Sequence, residues 1–264
     1  MFEKEKKLIE GMSLLTFPFL SKYNVFCAFT SRTGGYSKKP FDSLNLAYHV
    51  GEDRDLVRRN RQLVLKNNLN IKAEYIYSVR QVHGSNIVSI DKDIRHTDGA
   101  IPEDADCLMT CLKNKPVMVM GADCALILIA DIGKRAVCAV HAGWKGTFNK
   151  ILGKSLEVFC SRFDSKEKEI HIFFGPCIRG CCYNIDNRLA DKFRNRFGEG
   201  KYLFDRGETP FLDIVELNMV QLRDFDIPED NIYDSRICTG CDRKYYSYRR
   251  EGLTGRHGAI AAIF

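Results

Sequence analysis

Short apolar runs alternate with amphipathic segments along the whole chain. Runs rich in β-branched and aromatic residues predict strands at residues 25–30, 75–79, 86–90, 117–120, 125–130, 135–140, 170–174 and 245–249. Several of these runs, such as 125–130, are apolar at every position. An unbroken apolar run of this length predicts a strand that is buried on both faces.

The segments between some of these runs carry helical patterns, at residues 53–69, 147–163, 187–197 and 212–225. In the second segment the apolar residues recur at steps of four and three, which places them on one side of a helix: Phe148, Leu152, Leu156, Phe159 and Phe163. Strands interleaved with helices predict an α/β (α+β layered) fold with a mixed β-sheet flanked by helices. The sequence contains no internal repeat or linker, so we predict a single domain over residues 1–264.

Composition and charge limit the class of protein. With 264 residues, 45% hydrophobic and 28% charged, the chain has the composition of a globular protein that buries a sizeable core. The charged start and the shortness of the apolar runs favour a cytoplasmic protein with no membrane segment. The net charge of +6 is spread over small clusters, which does not indicate a nucleic-acid partner and suits an anionic small molecule or no special partner.

The 11 cysteines are irregularly spaced, and in a cytosolic protein clustered thiols suggest metal binding or catalysis before disulfides. Cys238 and Cys241 form a Cys-x-x-Cys pair. Together with Cys177, Cys181 and Cys182 this pair is a candidate for a second, structural zinc site. A thioredoxin-like redox pair is an alternative, although that motif expects a following helix and residues 245–249 predict a strand. The remaining alternative is a group of reduced cysteines without a metal.

Three short segments place possible metal ligands at strand ends or beside glycine: residues 81–84, 122–124 and 141–146. Such positions are where α/β scaffolds present functional side chains. Their imidazoles and thiol, on His83, Cys124 and His141, suit zinc, and three protein ligands leave the fourth position open. The spacings are not those of a zinc finger, so the residues alone leave open structural histidines and a small buried cysteine.

The same segments belong to a longer ordered series of motifs. The others are residues 29–37 (FTSRTGGYS), 43–46 (SLNL), 49–51 (HVG), 60–61, 104–106, 175–178 (GPCI), 183, 238–239, 246–250 (YSYRR) and 254–256 (TGR). The series resembles the YfiH-type family, also called the multicopper polyphenol oxidoreductase or laccase-domain family, which includes purine nucleoside phosphorylase-like enzymes. The resemblance implies a single-domain α/β fold and a catalytic zinc, with copper as the alternative metal, held by His83, Cys124 and His141.

Further site residues follow from the motifs around these ligands. Arg32 lies in a loop with two glycines; the residues alone favour a turn with a solvated arginine, whereas the resemblance makes Arg32 a candidate catalytic residue and phosphate anchor. Asn45 and His49 occupy matching segments and are expected to line the substrate pocket, with a core histidine as the alternative for His49. Asp123, beside Cys124, is a candidate proton-transfer residue.

Residues 143–146 lead into the helix expected to begin near Thr147. A helix N-terminus offers unpaired amides to an anion, so Trp144 and Lys145 are candidate substrate-binding residues. Trp144 is the only tryptophan and suits stacking on a base or a phenol, or a role as an apolar plug.

The resemblance implies phosphorolysis of adenosine, inosine and methylthioadenosine to the base and a sugar 1-phosphate, with adenosine deamination as a side activity. The partners are then a nucleoside and phosphate, and the sequence leaves open whether the chain is a monomer or a homodimer. The usual zinc-deaminase signature, His-x-Glu followed by Pro-Cys-x-x-Cys, is absent from the sequence, so deamination would need another proton-transfer group.

Three other functions remain as alternatives. Phenol oxidation would rest on copper in the single site, because six histidines with no His-x-His pair exclude a conventional multicopper centre. Hydrolysis of a peptidoglycan precursor would use the same metal site. A metal-stabilised interaction module would instead need a closed site with four protein ligands.

Overall fold

The computed structural model describes residues 5–9, 11–68, 74–92 and 99–264. These residues form strands β1 to β15 in chain order: Glu5–Ile9, Met12–Thr16, Val25–Thr30, Ser78–Arg80, Ile87–Ile90, Ala100–Asp104, Cys107–Thr110, Val117–Gly121, Ala125–Asp131, Ala136–Ala142, Ile170–Phe174, Leu203–Arg206, Thr209–Leu212, Ile232–Asp234 and His257–Ile263. They also form helices α1 to α6: Arg54–Asn68, Trp144–Phe148, Ile151–Phe163, Asn187–Phe197, Ile214–Gln221 and Tyr248–Glu251. Short 3-10 helices lie at Pro18–Tyr23, Tyr48–Val50, Glu167–Glu169, Leu222–Asp224 and Glu229–Asn231.

Most of the strands belong to two large sheets. The first has the order β1-β2-β3-β15-β8, and every neighbouring pair in it is antiparallel. The second has the order β14-β11-β9-β10-β7-β5 and is mixed, because β14 and β5 run parallel to their neighbours. Two small two-stranded sheets, β12-β13 and β4-β6, complete the set. The predicted α/β fold is confirmed; its mixed sheet is the second one, and the antiparallel first sheet adds to it.

Three apolar clusters define the layers. One cluster fills the space between the two large sheets, and it includes Phe29, Leu128 and Phe173. A second lies between the mixed sheet and helices α3 to α5, and a third packs the outer face of the first sheet against α1. Strand β9 contributes alternate residues to the first two clusters, which explains why its sequence is apolar from Ala125 to Ala130.

Aspartates fix where three of the helices begin. The Oδ1 atom of Asp53 accepts hydrogen bonds from the first amides of α1, Asp186 accepts from the amide of Leu189 at the start of α4, and Asp213 does the same for α5. Each carboxylate satisfies amides that the helix leaves without an internal partner and favours the positive end of its dipole.

Four predicted elements differ from the structure. Of the strand predicted over 75–79, only residues 78 and 79 lie in β4. The helix predicted over 147–163 is two helices, because Lys150 adopts a left-handed φ of 59° between α2 and α3. The helix predicted over 212–225 is α5 followed by a 3-10 turn. The strand predicted over 245–249 is wrong. Helix α6 begins within this segment at Tyr248, and the Oγ of Ser247 caps it by accepting from the amide of Arg250.

The helix predicted over 53–69 is confirmed as α1, apart from residue 69, which lies outside the described residues. Among the helices of the described part of the chain, none combines the length and the apolarity that crossing a membrane requires.

Candidate metal centre

The three predicted ligands converge at one end of the mixed sheet. One ligand atom from each of His83, Cys124 and His141 lies within 4.8 Å of the other two. The two imidazole rings meet edge to face, with centroids 4.9 Å apart and an angle of 79° between their planes. Two ring nitrogens and one sulfur at this separation form a donor set typical of zinc or copper.

The pairing of β9 with β10 positions two of the ligands. Ala142 lies opposite Ala125 in the antiparallel register, so Cys124, just before β9, lies beside Gly143, just after β10. His141 is the penultimate residue of β10 and is buried. Both ligands therefore project from rigid strand ends, which keeps their separation fixed.

Asp106 holds His83 close to the other two ligands, Cys124 and His141. One carboxylate oxygen, Oδ1, lies 2.8 Å from Nδ1 of His141 and accepts from the amide of His83 at 3.0 Å. The other, Oδ2, accepts from the amides of Val82 at 3.3 Å and Gly84 at 2.6 Å. This carboxylate leaves Nε2 of His141 as the metal-binding nitrogen and fixes the turn at His83, where φ is 59°. A carboxylate behind a ligating histidine is a common support of metal sites.

The electrostatics of the site favour a thiolate on Cys124 beside a protonated imidazole on His141. Burial disfavours the thiolate of Cys124, but His141 and His83 outweigh it and lower the pKa of the thiol to about 6. Burial alone would lower the pKa of His141, but Cys124 and Asp106 raise it to about 9. Cys124 is therefore favoured as a thiolate near neutral pH, which is the form that binds metals, whereas His141 has to release its proton when a metal binds.

Gly143 leaves the space in which a metal fits between the ligands. A Cβ atom at this position would lie 2.9 Å from Sγ of Cys124 and 3.1 Å from Cδ2 of His83. Both distances are shorter than ordinary van der Waals contact, so a larger residue would push the ligands apart. The donor set and this cradle together fit a single bound metal ion.

The ligands open into a cavity of about 460 Å³. Besides the ligands, its wall comprises His49, Gln81, Met120, Gly121, Ala122, Asp123, Trp144, Ile178, Tyr183, Ile214, Tyr248, Arg249 and Arg256. The wall thus combines a possible metal position with aromatic faces and two guanidinium groups, and its volume matches that of a small-molecule site.

Three of the other predicted site residues line this cavity. Burial and the neighbouring Arg256 lower the pKa of His49, which keeps its imidazole neutral. Trp144 is half-buried at the start of α2. Asp123 accepts hydrogen bonds from the Oγ1 of Thr239 at 2.6 Å and from the amide of Arg249 at 2.7 Å. Both oxygens of Asp123 are thereby used to hold the loops that form the cavity wall.

Arg32 lies in a different pocket. It shares that pocket with Asp42 and Glu251, and its guanidinium donates to Glu251 at 2.7 Å and to the carbonyl of Asp42 at 2.9 Å. It also stacks over the ring of Tyr246, 4.7 Å from the centroid. Its contacts are those of an ion pair that joins its loop to the end of α6, and it is not in the wall of the metal cavity.

Asn45 and Lys145 also lie outside the wall. Asn45 is buried, donates to Glu52 at 2.7 Å and accepts from the backbone amide of Arg256 at 2.9 Å, so it positions a residue that does line the cavity. Lys145 is exposed and its Nζ lies 5.6 Å from the centre of the Trp144 ring. The expected helix start near Thr147 is displaced: α2 begins at Trp144, and Thr147 lies inside it.

Sequence reasoning missed three important residues of the site: Asp106, Arg249 and Arg256. All three fall in motifs of the resemblance, but nothing local in the sequence indicates that they meet the ligands. A carboxylate 23 residues from His83 and 35 from His141 is brought to them only by the folded chain.

Comparisons with known proteins show the family to which the chain belongs. The family model described as multi-copper polyphenol oxidoreductase laccase matches residues 26–263. The purine nucleoside phosphorylase YlmD of Geobacillus stearothermophilus is 34% identical over 237 residues, which cover 86% of each chain. The purine nucleoside phosphorylase YlmD of Bacillus subtilis is 30% identical over 88% of this chain and 86% of its own.

Solved structures extend the likeness to the fold. The crystal structure of YlmD from Geobacillus stearothermophilus matches with a TM-score of 0.86 and 28% identity over 99% of both chains. That of the hypothetical protein YfiH from Bacillus licheniformis matches with a TM-score of 0.84 and 28% identity over 97% of both.

Proposed function

The chain belongs to the multi-copper polyphenol oxidoreductase laccase family, and from that premise we propose that it is a metal-dependent purine nucleoside phosphorylase. Its substrates in this proposal are adenosine, inosine or methylthioadenosine together with phosphate. The products are the free purine and a sugar 1-phosphate. The relatives named purine nucleoside phosphorylase at 34% and 30% identity support this reaction.

One observation carries the proposal: a single cavity combines two arginines, two tyrosines and a tryptophan with the three-ligand cluster. Phosphorolysis needs a cationic position for phosphate, a flat apolar surface for the purine, and a position between them for the sugar. A laccase of the conventional multicopper type would need many more histidines than the three that line this cavity.

Arg249 and Arg256 are the phosphate-binding residues in this proposal. The Nη1 atom of Arg249 donates to the carbonyl of Asn184 at 3.0 Å, and the Nη1 atom of Arg256 donates to the carbonyls of Thr254 and Gly255 at 2.7 and 3.0 Å. These contacts fix the direction of each guanidinium before phosphate arrives, and planar guanidinium groups suit phosphate oxygens.

The aromatic residues of the wall hold the base. Trp144, Tyr183 and Tyr248 line the cavity and offer ring faces for stacking, and neutral His49 offers one hydrogen-bond donor and one acceptor. In the reaction a phosphate oxygen attacks the anomeric carbon, the bond from that carbon to the purine nitrogen breaks, and the leaving base takes up a proton. The residues contribute by holding both reactants in line, which is a large part of catalysis in such displacements.

His83, Cys124 and His141 would hold the metal, which we propose is zinc, with copper as the alternative because both metals favour these donors. When bound, the ion supplies Lewis acidity that polarises a substrate oxygen or a water molecule. Asp106 keeps the ligands oriented, and Asp123, next to Cys124, acts as a positioning residue by accepting from the amide of Arg249 in α6.

Adenosine deamination is a side activity in this proposal. In that reaction water replaces the amino group of adenine and ammonia leaves, so phosphate is not consumed. The open side of the ligand cluster faces the cavity, where the same base-binding surface would present the amino group.

A nucleoside panel tests the function directly. Purified protein is incubated with adenosine, inosine and methylthioadenosine, with and without phosphate, and the products are separated by chromatography. We expect free purine and sugar 1-phosphate only when phosphate is present, and a smaller phosphate-independent formation of inosine from adenosine. Unchanged nucleosides at high concentrations of metal-loaded protein would refute the proposal, and turnover of phenols or peptidoglycan precursors instead would favour the alternatives.

The ligand assignment has its own test. Separate replacement of His83, Cys124 and His141 by alanine should remove the metal of this site and phosphorolysis together. Replacement of the exposed Cys111 by serine is the matched control, and it should change neither. Wild-type activity in all three ligand variants would show that the catalytic centre lies elsewhere.

A further inference from the structure

A second group of metal-type ligands lies outside the cavity. Four thiols, those of Cys181, Cys182, Cys238 and Cys241, have sulfur atoms that all lie within 4.8 Å of one another. The first two are in the turn after β11 and the last two in the loop after β14. Cys177, which sequence reasoning grouped with them, is buried in the core and is not part of this four-sulfur group of the described residues.

The sulfur separations fit one tetrahedral metal. Sγ of Cys241 is 3.3 Å from that of Cys182 and 3.7 Å from that of Cys181. Four sulfurs bound to zinc at about 2.3 Å stand about 3.8 Å apart, whereas sulfurs joined in a disulfide stand only about 2.05 Å apart. We propose that these four cysteines bind one Zn²⁺ ion as a closed tetrathiolate site, separate from the catalytic metal.

The surroundings suit the negative charge of such a site. A zinc ion with four thiolates carries two negative charges, and arginines reach the backbone of both loops. Arg206 donates to the carbonyl of Cys181 at 3.2 Å, and Arg250 donates to the carbonyl of Gly240 at 3.3 Å. The amide of Arg179 donates to Sγ of Cys238 at 3.5 Å. Hydrogen bonds and charges of this kind support metal ligands in general.

The two loops meet so closely that one position requires glycine. A Cβ atom on Gly240 would lie 2.8 Å from Cβ of Cys182 and 3.0 Å from its sulfur. A thioredoxin-like pair does not fit here, because the residues after Cys241 form turns and α6 begins only at Tyr248. The arrangement is that of two loops crosslinked through all four sulfurs.

The proposed zinc would act on the cavity through these loops. The first loop continues to Tyr183 and the second to Arg249, both of which line the cavity. Thr239, between the two cysteines of the second loop, donates to Asp123. Because all four ligands come from the protein, the site is structural, and its role is to hold this part of the cavity wall in place.

Metal content tests the proposal without any assay of activity. We expect the full-length protein, purified under reducing conditions in the presence of zinc, to contain two zinc ions per chain by mass spectrometry of the metals. The Cys181→Ser, Cys241→Ser double variant should contain one, and so should His83→Ala, which affects only the catalytic site. The Cys111→Ser control should retain two. An unchanged zinc content in the double variant would overturn the proposal.

A second measurement does not depend on the folding of that double variant. In His83→Ala protein reloaded with Co²⁺, a tetrathiolate site gives strong thiolate-to-cobalt charge-transfer bands together with the intense visible bands of tetrahedral cobalt. We expect these bands, and their loss when zinc is added back. Their absence, bound iron in place of zinc, or an intact mass that shows two disulfides among the four cysteines would each refute the zinc site. None of these outcomes depends on phosphorolysis, so the zinc site can be refuted without refuting the proposed function, and the reverse also holds.

Discussion

At the scale of single residues, the candidate centre depends on a carboxylate that is not itself one of the three ligands. Asp106 is fully buried, accepts from His141 and fixes the turn of His83 through backbone amides. We predict that Asp106→Asn weakens metal binding about 10- to 100-fold, the usual effect of removing such support, because an amide accepts less strongly and its NH₂ group opposes the neighbouring amides. Titration against a competing chelator measures the change.

The neighbouring residue Asp104 is the matched control for Asp106→Asn. It is exposed and pairs with Arg80 at the surface. Exposed ion pairs contribute little to stability, so Asp104→Asn should leave both metal affinity and folding unchanged. Equal metal affinity in Asp106→Asn and wild type would mean that the ligands hold their geometry without this carboxylate.

Arg256 and Arg32 are two alternative candidates for the residue that binds phosphate. Arg256 lines the cavity, whereas Arg32 is paired with Glu251 in a different pocket. We predict that Arg256→Gln raises the KM for phosphate at least about tenfold, because a hydrogen bond to a charged group contributes roughly 1.5–3 kcal/mol. Arg32→Gln should leave that KM unchanged and lower the melting temperature.

Steady-state kinetics at varied phosphate, together with a thermal melt of each variant, distinguish the two arginines. A high KM for phosphate in Arg32→Gln alone would contradict this prediction. It would mean that phosphate binds at the loop of Arg32, the anchor that the resemblance implied.

At the scale of elements, strand β9 is the centre of the molecule because it contributes to apolar clusters on both of its faces. Leu128 points into the cluster between the sheets and is fully buried. We predict that Leu128→Ala lowers the free energy of unfolding by about 2–5 kcal/mol, through lost burial and the cavity that remains. Urea unfolding measures this, with Leu253→Ala as the control, since Leu253 is 61% exposed. A loss below 1 kcal/mol, about the level of a surface substitution, would mean that the core repacks around the cavity.

Elements with strong local patterns could be predicted from the sequence. Strands β3, β8, β9 and β11 are mostly apolar, and the structure confirms them near the expected bounds. Strand β15 was not predicted, because its sequence HGAIAAI is rich in small residues with low strand propensity. Those small side chains fit where β15 packs between β3 and β8 and faces the second sheet, a constraint that only the assembled fold imposes.

The prediction of a strand over 245–249 was wrong for the opposite reason. Its aromatic residues have high strand propensity, but Tyr245 and Tyr246 are buried by contacts with distant residues. The hydroxyl of Tyr246 donates to the carbonyl of Phe41 at 2.6 Å, and Ser247 then caps a helix. Tertiary contacts of this kind override local propensity.

At the scale of the whole molecule, the site lies where strand ends of the mixed sheet meet loops from distant parts of the sequence. The grouping of His83, Cys124 and His141 could be predicted because each stands in a motif of the family resemblance, although their positions beside glycine or at strand ends left other roles open. The guanidinium groups and Asp106 could not, since their roles depend on which loops the fold brings together. The single-domain organisation over residues 1–264, the cytoplasmic location and the oligomeric state remain predictions.

Two buried histidines, one in each large sheet, connect the stability of the whole molecule to pH. Burial lowers the pKa of His171 in β11 and of His257 in β15 to about 4, below the usual value of about 6.5 in an unfolded chain. Each group therefore stabilises the fold in its neutral form. That stability is complete above pH 6.5 and is lost as the pH falls through 4, because the unfolded chain binds the proton more readily.

We predict that the urea midpoint of the wild type falls between pH 6.5 and pH 4.5, and that it falls less in His171→Phe. The substituted ring still packs against Phe19 and Phe173, which His171 contacts in the structure, but it has no proton to gain. The difference between the two proteins across this pH range isolates His171, because all other titrating groups are common to both. Parallel curves for wild type and variant would show that His171 takes up its proton without unfolding the sheet around it, and that acid acts on the molecule through other groups.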